Sequence, residues 1–404
     1  MSQTTTNRPA EARTEPADVA SPPLVHWTEA GEPRTARWRS ESGVPPPKRV
    51  IIADDTITAD TAFRLACEGT AMLWRSDFQN ARQLLHAIAR RADRKPRQPR
   101  KPAPPPATPA PPPATPAEAF HLVRQARSQR ARTLGMLLLP FDTGHVIPLR
   151  RAPDVRQACE EAYGPAPEPY VASLRELLGL IGAHEWRKTG IEIPALGARI
   201  HPHYGVFAPV RSEYVDLVAN APLPAKTLAF DIGTGTGVLA AVLARRGVER
   251  VVATDRDPRA LACARENIAR LGLGKQVEVV ESDLFPEGRA PLLVCNPPWV
   301  PARPSSPLEH TVYDPESRML RGFLAGLATH LEAGGEGWLV LSDIAEHLGL
   351  RTRDELLAMF DAAGVKVVDR IDVRPRHPRA SDATDPLHAA RAAEVTSLWR
   401  LAGR

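Results

Sequence analysis

"FDIGTGTGVLAAVL" (residues 230–243) runs from an apolar stretch through an acid and three glycines into a helix-forming stretch. This is the order strand, loop, helix. Gly233, Gly235 and Gly237 let a backbone turn tightly and approach a ligand closely. A dinucleotide fingerprint puts its third glycine three places after the second, but Val238 stands there. The spacing is G-x-G-x-G, with Asp231 two residues ahead of Gly233. No G-x-x-x-x-G-K-S/T occurs, so a P-loop is excluded.

Outward from this loop, short β-rich runs alternate with helical runs from about Thr227 onward. The strand runs are "TLAFDIG", "RVVATD", "VEVVESD", "LLVCNPP", "GWLVLSD", "VKVVDRIDV" and "EVTSLWRL". Asp257-Pro258 and Asp314-Pro315 each offer an N-cap followed by proline at the first helical position, the second opening a helix over 315–333. Gly247, Gly272, Gly334 and Gly364 fall where C-caps belong. The alternation predicts an α/β fold with a doubly wound, seven-stranded, mainly parallel sheet. Ligands of such sheets bind outside the carboxyl ends of the strands. Those ends carry Asp231, Asp255, Asp283, Asn296 and Asp343. A carboxylate at Asp255 suits both hydroxyls of a ribose. One at Asp283 suits an adenine amine, with Leu284 packed on the ring. Each acid alone would read as a helix cap or surface charge; three at successive strand ends beside a glycine loop read as a cleft.

"DIGTGTG", "ATD", "ESDLF" and "NPPW" together resemble the class I S-adenosylmethionine-dependent methyltransferases, over roughly residues 200–404. The resemblance implies a Rossmann-like catalytic domain with S-adenosyl-L-methionine as cofactor. It puts the loop Asp231–Gly237 under the methionine part, Asp255 on the ribose, and Asp283 with Leu284 at the adenine. "GVFAPVRSEYVDLV" (205–218) loosely resembles the family element that covers the cofactor, with Phe207 and Pro209 as its candidates.

Asn296 ends the fourth strand, beside the place where the transferable methyl points. Its side-chain oxygen and the carbonyl of Pro297 are acceptors. Held rigidly, they grip both hydrogens of a planar NH₂ group and aim its lone pair. Trp299 supplies a wall for a flat substrate. The motif resembles the N-P-P-aromatic motif of methyltransferases acting on planar nitrogen, whose aromatic is usually Tyr or Phe. These include protein-glutamine N5 methyltransferases of release factors and enzymes that methylate exocyclic base amines. The acceptor is therefore read as a macromolecule: a protein glutamine amide, or alternatively a base amine in rRNA or DNA. A non-catalytic cofactor-binding or interaction protein is the third reading. No general base is nominated, because the proton leaves after methylation. His201 and His203 in "HPHY" read as loop chemistry, and no metal is expected.

The chain has 404 residues, 43% hydrophobic and 25% charged, as suits a soluble globular protein. Its 42 prolines are about double the usual share. "MSQTTTNRPAEARTEPADVA" has no apolar core of a secretory signal, and no run approaches a membrane span. Cys67, Cys159, Cys263 and Cys295 form no C-x-x-C pair, which points to a reducing, cytoplasmic setting. The net charge is +5. Basic residues cluster at 82–101 (Arg90, Arg91, Arg94, Lys95, Arg97, Arg100, with Asp93 the one acid) and at Arg124, Arg127, Arg130 and Arg132. These segments are candidates for nucleic-acid or ribosome contact.

Three regions are expected. Residues 1–45 read as a disordered tail. Residues 46–190 read as a mostly helical domain, with helical runs at 60–94, 118–134 and 171–181. A proline-rich spacer at 96–117 interrupts it, repeating "APPPATP" at 103–109 and 110–116 and spanning up to ~70 Å. Residues 191–404 read as the catalytic domain.

Overall fold

The computed structural model describes residues 22–93, 115–304, 307–375 and 382–404. It opens with a hairpin of β1 (Leu24–Glu29) and β2 (Glu32–Trp38), turned through Ala30 and Gly31, both at positive φ. Then follow β3 (Arg49–Ala53), α1 (Ala59–Cys67), β4 (Thr70–Trp74), α2 (Phe78–Ala92) and α3 (Pro116–Leu134). β5 (Leu137–Phe141), α4 (Arg156–Tyr163), β6 (Tyr170–Ser173) and α5 (Leu174–Thr189) complete the N-terminal half. Its six strands form one sheet in the order β1-β2-β6-β5-β4-β3.

This half corrects two expectations. β1 and β2 lie within 1–45, so structure begins well before residue 46; residues 1–21 lie outside the described residues. The domain over 46–190 is mixed α/β rather than mostly helical. The reason is local: "TAMLW" (70–74) sits inside the run read as one helix. Gly69, at φ +77°, ends α1, and the Asp77 carboxylate caps α2 by accepting from the Gln79 N–H at 2.8 Å. β4 is buried along its whole length. A strand covered on both faces has no polar alternation, so its apolar run looks like a helix segment. β6 is hidden in the same way at the start of 171–181. Most of the proline spacer lies outside the described residues. Its end is Thr115, which caps α3 by accepting from the Glu118 N–H at 3.2 Å, with Pro116 as the first helical residue.

The second half starts with a hairpin of β7 (Ile191–Ile193) and β8 (Ala198–Ile200), then α6 (Glu213–Asn220). β9 (Leu228–Ile232), α7 (Val238–Arg245), β10 (Arg250–Asp255), α8 (Pro258–Arg270), β11 (Val277–Glu281) and β12 (Ala290–Cys295) follow. The remainder is α9 (Arg318–His330), β13 (Leu331–Ser342), α10 (Ile344–His347), α11 (Arg353–Ala362), β14 (Val365–Val373), α12 (His388–Ala393) and β15 (Thr396–Gly403). The seven strands read from the sequence form one sheet, ordered β11-β10-β9-β12-β13-β15-β14. Pairing is parallel from β11 to β13, and β15 is antiparallel to both neighbours. α6 and α7 bury their apolar faces on one side with Trp338 and Leu398. α9 and α11 cover the other with Phe323, Phe360 and Trp399.

Asp257 caps α8 as expected, accepting from the Arg259 N–H at 2.8 Å. Two cap expectations shift. Gly334 lies inside β13 rather than after a helix. α9 begins only at Arg318, because Glu316 and Ser317 adopt φ of +56° and +55° and break the turn before it.

The strand order reverses between β9 and β12, which is where ligands of such sheets bind. Cys295 pairs with Ile232, so Asn296 and Gly233 leave the sheet side by side. The halves are joined by ion pairs: Arg187 with Glu266 at 2.7 Å and Arg259 with Glu41 at 2.6 Å.

Candidate functional site

The glycine loop is fastened from within. Asp231 Oδ2 accepts from the Thr234 hydroxyl at 2.6 Å and from the Ala240 N–H at 3.0 Å, tying loop to helix. Burial pushes the Asp231 carboxyl up to about 6, with the nearby Asp255 charge adding to the effect. Asp255 takes one backbone N–H on each oxygen, from Gly235 and from Asp257, both at 3.0 Å. Burial raises its carboxyl as well. The three loop glycines all have positive φ. A Cβ on Gly233 would stand 2.2 Å from Met319 Cε, so the Met319 side chain packs over this glycine, whose φ of +70° favours glycine in any case. A Cβ on Gly235 would meet nothing within 4 Å.

A cavity of about 1220 Å³ runs from this loop past Asp255 and Asp283 to Asn296 and Trp299. It exceeds the ~300–1,000 Å³ usual for one small ligand, leaving room for a second reactant. Asp283 is exposed and carries two guanidinium groups, Arg318 at 2.6 Å and Arg256 at 3.8 Å. Sequence reasoning placed Arg318 only at a helix start, and nothing in its spacing links it to Asp283. Leu284 holds φ +116°, a strained value for a branched residue. Its side chain occupies the space over Gly322, where a Cβ would lie 2.6 Å from Leu284 Cδ1. Phe207 lines the cavity; Pro209 is buried and is not part of the lining.

At the end of β12, Asn296 and Trp299 are half-buried and Pro297 is buried; all three line the cavity. The Trp299 indole N–H donates to Asn296 Oδ1 at 2.9 Å. An indole only donates, so the carboxamide oxygen is the atom that faces it. A carboxamide oxygen has two lone pairs, and among the described residues no second donor meets this one. The loop is braced from behind. The Asp314 N–H donates to the Val300 carbonyl at 2.9 Å. The Asp314 carboxylate accepts from the Met319 N–H at 3.0 Å and the Leu320 N–H at 3.2 Å, capping α9.

Part of the lining comes from residues that sequence reasoning missed. These are Phe120 and Val123 of α3 and Trp186 of α5; Arg124 and Arg127, read from the sequence only as a basic contact cluster, line the same wall. No spacing pattern ties them to the strand ends. The basic clusters are partly neutralised within the chain: Arg91 pairs with Asp60 and Arg130 with Asp93, each at 2.6 Å. Residues 94–101 of the first cluster lie outside the described residues. His201 Nδ1 meets the Arg187 carbonyl at 2.7 Å, and His203 Nε2 meets Glu266 at 2.7 Å, so both serve local structure.

Carboxylates stand at three successive strand ends along the cavity, which suits a cationic ligand, and arginines, Arg256 and Arg318 among them, line it as well. The open face of Gly235 and the half-buried carboxylate of Asp255 leave the loop accessible to S-adenosylmethionine. The family described as methyltransferase small domain matches residues 198–366. Residues 198–366 belong to the class I S-adenosylmethionine-dependent methyltransferases. This methyltransferase domain has curated relatives of two kinds. A release factor glutamine methyltransferase of Cereibacter sphaeroides is 32% identical over 184 residues, 41% of this chain and 63% of that protein. A ribosomal protein L11 methyltransferase of Sorangium cellulosum is 34% identical over 145 residues, 36% of this chain and 38% of that one. A putative protein N5-glutamine methyltransferase of Methanocaldococcus jannaschii is 31% identical over 113 residues, 28% and 55% respectively. The chain thus spans less than two thirds of each of these relatives. No helix among the described residues is long and apolar enough to cross a membrane.

Proposed function

We propose that this chain is an S-adenosylmethionine-dependent N-methyltransferase whose acceptor is a planar NH₂ group, namely the side-chain amide of a protein glutamine. The observation that carries the reading is the adjacency of Asn296-Pro297, at the end of β12, to the glycine loop at the end of β9. Neighbouring parallel strands lie ~4.8 Å apart, which puts acceptor grip and cofactor loop within one reaction distance. Asp255 would hold the ribose, and the loop Asp231–Gly237 the methionine part. Gly233, Gly235 and Gly237 permit the close approach. Asp283 and Leu284 would bound the adenine, with Arg318 and Arg256 displaced from Asp283 or bridging to the ring.

When bound, the cofactor supplies an electrophilic methyl group. The chain's own residues do the rest. The free lone pair of Asn296 Oδ1 and the Pro297 carbonyl accept the two N–H groups of the acceptor and aim its nitrogen. The same two oxygens favour the positive charge that develops on nitrogen. Trp299 keeps the carboxamide turned the right way and presents its face to the amide plane. The proton then leaves to water, so no base is required.

The N-terminal half, built on a six-stranded sheet, does not itself point to a glutamine acceptor. Support for a protein acceptor now comes from the names of the relatives, which act on release factors or a ribosomal protein. The pairing of Arg91, Arg124 and Arg130 with acids of the chain weakens the case for phosphate contact. Incubation with methyl-labelled cofactor and cell extract tests the acceptor class. Protease should release the label and ribonuclease or deoxyribonuclease should leave it. Loss to a nuclease would overturn the glutamine reading in favour of a base amine.

A pH dependence follows from the buried acids. A cationic ligand binds the ionised Asp231–Asp255 pair, so with Asp231 up at about 6 binding below that pH must expel a proton. Affinity is expected to fall about tenfold between pH 7.5 and pH 5, read by calorimetry. In the ligand-free protein the sign is opposite. The folded pKa of Asp231 lies above its unfolded value, so the native state holds the extra proton between about pH 4 and 6 and its contribution to stability is lost as pH rises through that window. An affinity flat in pH would show that binding does not require Asp231 to be ionised.

A further inference from the structure

We propose that α3, an element of the N-terminal half, holds the acceptor grip in shape, with Phe120 and Arg124 as positioning residues. The inference rests on the reading that Asn296-Pro297 grips the acceptor.

The relay can be followed contact by contact. Phe120 is 4% exposed and lies in an apolar cluster with Val300, Ala302, Ile344 and Leu348, against which Trp299 and Tyr313 also pack. Its ring meets the Tyr313 ring edge-on, centroids 6.4 Å apart. One turn along α3, the Arg124 guanidinium lies 4.2 Å from the Tyr313 centroid and pairs with Glu309 at 2.9 Å. Tyr313 forms a β-bridge with Val300. Val300 follows Trp299, whose indole N–H holds Asn296 Oδ1. So α3 holds Tyr313, Tyr313 holds Val300, and the Val300–Trp299 segment sets the carboxamide.

The strut is stiff. Its 19 residues span ~28 Å. A capping box closes its first turn, and towards its far end Arg130 pairs with Asp93 at 2.6 Å. The contacts of Phe120 and Arg124 named here run to Tyr313, Glu309 and the Val300 cluster, and none of them is to Asp231, Asp255 or the glycine loop. A plain domain-packing role would change overall stability and both ligands alike; a positioning role changes transfer alone.

The test uses the full chain with Phe120→Ala, Arg124→Ala and Phe120→Leu. Three quantities are read: affinity for S-adenosylmethionine, turnover of labelled methyl into extract polymers, and the emission of Trp299, taken as the difference from Trp299→Phe in each background. Cofactor affinity is expected to stay within about twofold while turnover falls about tenfold or more, because small misplacements of reacting groups are that costly. Trp299 emission should shift, and Phe120→Leu should recover most of both. Unchanged turnover, unchanged Trp299 emission, or a loss that merely tracks cofactor affinity or melting would overturn the proposal. Label found in nucleic acid would change the acceptor without touching this result. Should no polymer take label even from the native chain, the proposed function fails and the Trp299 emission alone decides the coupling.

Discussion

An Asn296→Ala chain is expected to bind S-adenosylmethionine with native affinity and to transfer methyl about a hundredfold to a thousandfold more slowly. On the proposed reading the side chain has two tasks in one atom. Oδ1 accepts the indole N–H of Trp299 and keeps a second lone pair for the acceptor. Alanine removes both, so the acceptor nitrogen loses one of two fixed points and Trp299 loses its anchor. The carbonyl of Pro297 remains, which is why some transfer should persist. Cofactor affinity is spared because Asp255 and the glycine loop hold their own hydrogen bonds, none of which involves Asn296. Single-turnover transfer and calorimetry separate the two quantities. Transfer within about threefold of native would mean that the acceptor is held elsewhere.

Asp255→Ala should show the converse, with cofactor dissociation weakened about 10²–10⁴-fold. Two hydrogen bonds from ribose hydroxyls to a carboxylate contribute about 1.5–3 kcal/mol each, and each 1.4 kcal/mol is tenfold. Part of the loss will come through the loop, since Asp255 also accepts the Gly235 and Asp257 N–H groups. Asp255→Asn distinguishes the contributions. It keeps one carbonyl acceptor, and so one of the two backbone hydrogen bonds, so its loss should be intermediate, and transfer at saturating cofactor should approach native. Native affinity in both variants would remove Asp255 from the ribose.

The catalytic sheet was legible because its signals are local. Buried parallel strands are unbroken apolar runs, as β12 is, and a polar residue stands at or just beside the carboxyl end of each of the four strands from β9 to β12: Asp231, Asp255, Asp283 and Asn296. The loop glycines and the Asp257-Pro258 cap depend on residues next to one another in the chain. The N-terminal sheet was not legible for a related reason. "TAMLW" and "YVAS" are just as apolar but lie within or beside runs of helical spacing, so periodicity could not separate them from helix. Only burial on both faces, a property of the assembled half, makes them strands.

By itself the sequence determined which groups stand at the strand ends, because glycine's free φ, proline's missing donor and a capping acid act within a few residues. Only the tertiary structure decided what those groups meet. Arg318 reaches Asp283 across 35 residues, and Arg124 reaches Glu309 across 185. Neither pair leaves a spacing signal, since contacts over such separations are closed by the path of the chain through two sheets rather than by local preference. The same holds for the placement of α3 beside Asn296 and Trp299: Phe120 is an ordinary apolar helix position until the two halves fold against each other.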